Sequence, residues 1–341
     1  MVDSATRRLV PRMRTIGIGA SLDRRTLLVV ALAGGLLIVP FAAEAQPAGR
    51  VYRVGFLSAA GVEPFREALR ELGYVEGQNL VLEVRLAAGR LDRLPALAAD
   101  LVAAKVDVIA AASPPAIQAA KEATATIPIV MAVTSVNPVH SGFVRSLARP
   151  GGNITGVAML ADEIAGKRLA MLKEMLPRAT RIAILSQVDH SASVSQVTAA
   201  RQSAKSLGLD LHEVAVRDSQ DYENAVAVAA KGAQGLFIVA NPTFFDDRYL
   251  LAALATKHRL PALCEWREMA VAGCLLAYGP NLRDLQRRVA KYVDQIVRGA
   301  QPADLPVEQP TTFELTINLN TARALGLKVP ESLMLQATLV P

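Results

Sequence analysis

From Val51 onward, short apolar runs alternate with amphipathic stretches, and only a few residues separate them. Residues 52–57, 80–86, 106–111 and 129–133 are mainly apolar, the last also β-branched, and they predict strands. Between them, 63–72 (closed by Gly73), 93–104 and 114–124 carry helical periodicity. After residue 160 the pattern restarts. Strands are expected at 181–186, 211–216, 235–240, 261–264 and 274–277. Helices are expected at 164–175, 194–207, 222–230 and 246–258, with a short segment at 265–270. Regular βα alternation with short connections implies parallel sheets covered by helices on both faces.

The stretch between the two series reads as a hinge. Residues 141–148 look helical, and Arg-Pro-Gly-Gly-Asn at 149–153 cannot continue a helix. A further apolar run, 154–160, opens the second series. Gly151, Gly152 and Gly156 would absorb backbone rotation there, or else form a rigid turn needing positive φ. After 280 the pattern changes to a long amphipathic helix at 282–298, a proline-rich segment at 299–310, a strand at 313–319 and a short helix at 321–325. A tail of that length is too small for a core of its own and should pack back on both lobes. The expected architecture is α/β: two doubly wound parallel-sheet lobes joined by a hinge. Residues 46–153 with 281–310 form the first lobe, and 154–280 with 311–341 the second. Two further connections are expected near 278–281 and 309–313.

The 341 residues are 52% hydrophobic and 20% charged, enough for two cores. The formal charge of +6 is concentrated at the start: residues 1–45 hold six Arg against Asp3, Asp23 and Glu44. The remainder carries 31 basic and 28 acidic side chains, a balance that does not suggest nucleic acid. Arg24-Arg25 precede an apolar run from Leu27 to Phe41, and Ala43-Glu44-Ala45 offers a small-x-small cleavage site, so a signal peptide cut after Ala45 and a periplasmic mature chain are expected. The run is short for a membrane anchor, the competing reading. Cys264 and Cys274 are the only cysteines. They either pair in an oxidising compartment or serve as two small buried residues.

No catalytic constellation emerges. Gly151-Gly152 does not open a G-x-G-x-x-G helix, Gly166-Lys167 lacks the rest of a phosphate loop, and the four His are scattered without metal-type spacing, so no cofactor and no metal are expected. The loops at strand carboxyl ends are richer, and that is where α/β sheets bind ligands. Ser58 follows the first strand. Ser113-Pro114-Pro115 suggests a capped helix start whose free N–H groups would attract a carboxylate or phosphate. Thr134, Ser135 and Asn137-Pro138 repeat the device, as does Asn241-Pro242-Thr243 in the second lobe. Ordinary capping would account for each loop singly. Phe244, Phe245, Trp266 and Tyr278 lie at or near strand ends, where they either sandwich an organic ligand or fill the core.

Several stretches together resemble the substrate-binding proteins of ABC transporters, of the tryptophan/tyrosine-type group with the type I periplasmic fold. They are LRELGYVEGQNLVLE (69–83), RLPALAADLVAAKVDVI (93–109), IPIV with NPV (127–139), SLARPGGNITG (146–156), GKRLAMLKEMLP (166–177) and PADLPVEQPTTFELTINLNTARALGLKVP (302–330). The resemblance implies a monomeric receptor for an amino acid or related small molecule. It would serve an inner-membrane permease with a separate ATPase, and Ser113, Thr134, Ser135, Asn137, Asn241, Glu265 and Tyr278 would face the cleft. Two departures bear on the ligand: the 57–64 loop is short for the group, and Asn137 stands where an acid is expected. A ligand sensor for a membrane signalling protein is the alternative. A cytosolic enzyme would need a catalytic motif and no leader.

Overall fold

The computed structural model describes residues 50–59, 61–159 and 161–341. The expected signal peptide and its cleavage site lie outside the described residues. The first sheet is built from β1 (Tyr52–Ser58), α1 (Glu63–Glu71), β2 (Leu80–Leu86), α2 (Leu94–Ala103), β3 (Val108–Ala112), α3 (Pro114–Ala123), β4 (Ile129–Thr134) and β5 (Ile154–Ala158). Its order is β2-β1-β3-β4-β5 with every pair parallel. Successive residues of these strands enter opposite cores: Val54, Phe56, Ala110 and Val130 pack on one face, Leu57, Ile109, Ala111 and Met131 on the other. A sheet buried on both faces explains why its strands read as unbroken apolar runs.

The second sheet follows with α4 (Ala165–Met175), β6 (Arg181–Gln187), α5 (Ser191–Ser206), β7 (Asp210–Val216), α6 (Tyr222–Gly232), β8 (Gly235–Ile238), α7 (Pro242–Asp246), α8 (Arg248–Lys257), β9 (Ala262–Cys264), α9 (Arg267–Val271) and β10 (Leu276–Gly279). The chain then returns to the first lobe through α10 (Leu282–Val297), which packs on α1, β3, β4 and β5. Asn281 caps it by accepting the Asp284 N–H at 3.1 Å, and Leu285, Val289, Tyr292, Val293 and Ile296 form its buried stripe. Finally β11 (Glu314–Asn318), α11 (Leu319–Ala324), α12 (Glu331–Met334) and β12 (Ala337–Val340) complete a sheet ordered β12-β11-β10-β9-β8-β6-β7. Both lobes are therefore parallel-sheet α/β units, except that β10 and β11 run antiparallel.

Three expectations are corrected. Residues 154–158 were expected in the second lobe, but they hydrogen-bond to β4, so the first crossing lies after Ala158 rather than at 153. The hinge expected at 149–156 is then internal to one lobe. Gly151 donates its N–H to Ala303 O at 3.2 Å, and Gly156 (φ +131°) is required because a Cβ there would lie 2.5 Å from the Met131 N and O. Residues 141–148 form turns instead of a helix. The Asn137 side chain takes the Val139 and His140 N–H groups, and Pro138 O takes those of Phe143 and Val144. The strand β12 had no sequence forecast, since only Val340 of its four residues is buried. The crossings fall at residues 159–164, 280–281 and 309–313, just after residue 308 has bridged to β5. Cys264 and Cys274 form a disulfide, resolving that alternative.

Candidate ligand cleft

The carboxyl ends of β1, β3 and β4 face those of β8 and β9, and a cavity lies between them with lining from both lobes and from α10. Its walls are mainly apolar, with one aromatic pair per lobe. Phe56 and Phe65 stack at 5.2 Å in the first lobe, and Phe245 meets Trp266 edge-on at 5.4 Å in the second. The lobes touch on both flanks. Gly61 donates its N–H to Asp246 Oδ2 at 2.6 Å on one side, and Gln187 Nε2 donates to Gly89 O at 3.2 Å on the other. These contacts describe a closed cleft.

The backbone at the first-lobe floor is unusual. Ser113 has φ 92° and ψ 150°, a region occupied almost only by glycine, and Val133 has φ 66° at the point where the β4–β5 register shifts. Such conformations cost on the order of 1–3 kcal/mol each and persist when the surrounding structure enforces them. Here they turn two strand ends into the cavity. Ser113 Oγ and Trp266 Nε1 are buried without a hydrogen-bond partner, so the cleft presents polar groups that a ligand could satisfy.

Of the residues singled out from sequence, Ser58, Ser113, Ser135 and Asn241 line this cavity. Thr134 is buried beside them with its hydroxyl unpartnered. Asn241 holds the Thr243 N–H with its oxygen and donates to Gln187 Oε1 at 2.8 Å, so much of its capacity is already committed. Asn137 lies elsewhere, in a groove with His140 and Asp189, and its side chain is used by the turn described above. Glu265 lies outside the lining: fully buried, it accepts from Arg168 Nη1 at 3.1 Å. Burial drives the Glu265 carboxyl above its ordinary pKa, with the Arg168 charge pulling the other way. Tyr278 stacks on Phe313 at 5.9 Å with the Lys167 ammonium over its ring, also outside the lining. Among the four aromatics expected near strand ends, Phe245 and Trp266 line the cavity, whereas Phe244 packs edge-on against Tyr222 in the core.

The helix start at Ser113 also differs from expectation. Pro114 and Pro115 occupy the first two positions of α3 and have no N–H, so half of the anion-attracting donors of a helix terminus are missing. Sequence reasoning missed Asp246 and Gln286, which line the cavity from α7 and α10. Nothing in their local sequence separates them from ordinary solvated helix residues. Asp246 is exposed at the side of the cavity, and desolvation by its surroundings raises its carboxyl pKa against the opposing pull of the Gly61 N–H. His190, at the start of α5, is buried with both ring nitrogens unpartnered, and burial lowers its pKa to about 4.

Residues 58–340 match the family model for ABC transporter substrate binding proteins. The tyrosine-binding protein of Clostridioides difficile is 26% identical over 265 residues, covering 77% of this chain and 76% of its own. A Vibrio cholerae conserved domain protein superposes with a TM-score of 0.79 at 25% identity, covering 86% of this chain and all of that one. A Streptococcus pneumoniae ABC domain in complex with L-Trp superposes at 0.76 with 24% identity, covering 85% and 100%. Among the described residues no helix is long and apolar enough to cross a membrane. The two-lobed fold, the cleft between its sheets and a family match that spans most of the chain place this protein among the ABC transporter substrate-binding proteins.

Proposed function

We propose that the protein captures a small aromatic, amino-acid-like solute between its lobes and delivers it to an ABC permease driven by a separate ATPase. It acts by binding and release, outside the cytoplasm, as a monomer. The observation that carries this reading is the cavity itself, closed from both sides and walled by Phe56, Phe65, Phe245 and Trp266. Aromatic faces contribute contact area and a preferred stacking geometry to a flat ligand. Ser58, Ser113, Ser135 and Asn241 supply the polar contacts that orient it, with Thr134 behind them. The tyrosine-binding relative and the L-Trp-bound neighbour are consistent with such a ligand.

Calorimetry and thermal shift on the mature chain test the proposal. A ligand at a hundred times its Kd should stabilise the native state by about 2.7 kcal/mol. Aromatic amino acids should raise the melting temperature, and aspartate, lysine and glucose should not. A flat response to every aromatic compound at millimolar concentration would refute the reading.

A further inference from the structure

Among the described residues, the cavity lining holds one ionisable side chain, Asp246, at the end of α7. Its Oδ2 accepts the Gly61 N–H from the facing lobe, while Oδ1 accepts none from the described residues. Each of the neighbouring cations has other contacts, although Arg248 also pulls on Asp246 through its charge. Arg168 is buried against Glu265 and Ile238 O; Arg248 lies over the Phe245 and Tyr249 rings and donates to Phe245 O; Lys167 sits over Tyr278. None of the three lines the cavity. We infer that the cleft selects aromatic molecules carrying a protonated nitrogen, with Asp246 as the counter-ion, and refuses aromatic acids.

The inference rests on the aromatic-solute reading above and adds the charge that the solute must carry. A charge moved from water into an enclosed apolar site is costly unless it is paired there. A cation finds Asp246 Oδ1, and the faces of Phe245 and Trp266 in the same wall favour it further. An anion finds no lysine or arginine, meets the Asp246 charge instead, and lacks the helix-terminus donors that Pro114 and Pro115 have removed. A zwitterion remains acceptable, because Ser113 Oγ and Trp266 Nε1 can hold its carboxylate once its ammonium has matched Asp246. The ligand's net charge is then zero or positive.

Three compounds sharing one indole frame separate the contributions: tryptamine, neutral indole-3-propionamide and indole-3-propionate. On the mature chain, calorimetry at pH 7.5 should show tryptamine binding at least about tenfold tighter than the propionate. The variant Asp246→Asn keeps an acceptor for the Gly61 N–H, so its effect reports on charge rather than on lobe closure. It should weaken tryptamine by roughly 10- to 100-fold, the range for a hydrogen bond to a charged group, and change the propionamide by less than about threefold. Equal binding of propionate and tryptamine by the parent, or parent-like tryptamine binding by Asp246→Asn, overturns this inference and leaves the aromatic-solute reading standing. Failure of all three compounds and of the aromatic amino acids overturns both.

Discussion

Replacing Arg168 with methionine should extend the protein's loss of stability with rising pH beyond pH 7. The guanidinium donates to Glu265 Oε2 at 3.1 Å and to Ile238 O at 3.0 Å, and it lies 4.5 Å from the Phe237 ring centroid. Both charged side chains are fully buried, and Arg168 Nε and Glu265 Oε1 have no partner. Without Arg168 the carboxyl stays buried with no cation and must be protonated. In the parent that carboxyl is already raised to about 7, so parent and variant lose stability alike up to pH 7, and above it the variant alone goes on losing about 1.4 kcal/mol per pH unit, or about 2 kcal/mol by pH 8.5. The unpaired Ile238 carbonyl adds about 1 kcal/mol or more. The total of about 3 kcal/mol at pH 8.5 lies at the low end of the usual cost of breaking a buried pair.

The sign follows from the direction of the shift. A carboxyl whose folded pKa is raised gives stability that is fully present below its unfolded pKa and is lost as pH rises through the folded value. Arg168 limits that loss in the parent; the variant loses more. Thermal unfolding should therefore show a deficit of about 2 °C near pH 4.5, widening to about 6 °C by pH 8.5, taking roughly 2 °C per kcal/mol for a chain of this size. The double variant Arg168→Met with Glu265→Leu should recover most of the deficit, since an apolar pair can replace a buried ionic one without loss. A deficit equal at both pH values, or a double variant no better than the single one, would refute the assignment of Glu265 as the titrating partner.

Three further outcomes are expected. Gly156→Ala should destabilise the first lobe by about 3 kcal/mol or more, because its Cβ would meet the Met131 backbone; urea titration with a probe in that lobe reads this. Exchanging both cysteines for alanine should cost about 3 kcal/mol from loop-closure entropy across a separation of ten residues, seen as a lower melting temperature that added reductant no longer changes. Gln187→Ala removes the link from Asn241 to Gly89 O in the other lobe and should weaken ligand binding about tenfold by calorimetry, and because it also leaves Asn241 Nδ2 and Arg217 O without their partner it should lower the melting temperature of the unliganded chain by a few degrees.

The alternation of strands and helices was legible because strands buried on both faces cannot tolerate polar residues: β3, β6 and β8 all read clearly. Sheet membership was not legible. Residues 154–158 carry no local mark of which lobe they join, since that is fixed by pairing with β4 and by the 305–308 segment, whose Leu305 O accepts from Thr155 Oγ1 at 2.6 Å. Ser113 and Asn241 could be found from their capping positions. Glu265 could be found as a strand-end acid, but its partner Arg168 lies 97 residues away, and only the fold shows that the pair is spent inside the second lobe. Asp246 is the opposite case: an ordinary helix acid in sequence that becomes the lone charge of a cavity once the lobes meet.

The crossing at residues 159–164 is tied to the cleft more directly than a hinge at 149–156 would have been. Met159 donates its N–H to Thr134 O at 2.7 Å and Ala161 to Ser135 O at 3.1 Å, so the first connecting segment is fastened to the loop that lines the cavity. Pressure from a ligand on Ser135 reaches that segment through two hydrogen bonds, and Val133, held at positive φ, restricts how the loop can yield. Ligand and closure are then linked. A solute that touches both lobes favours the arrangement in which Gly61 meets Asp246 and Gln187 meets Gly89, and it shifts the population by no more than its affinity difference between open and closed forms. Small-angle scattering on the mature chain should show the radius of gyration contracting at saturation with an aromatic amino acid shown by calorimetry to bind. An unchanged radius at saturation would identify a cleft already closed without ligand, and the crossings would then be rigid connections rather than hinges.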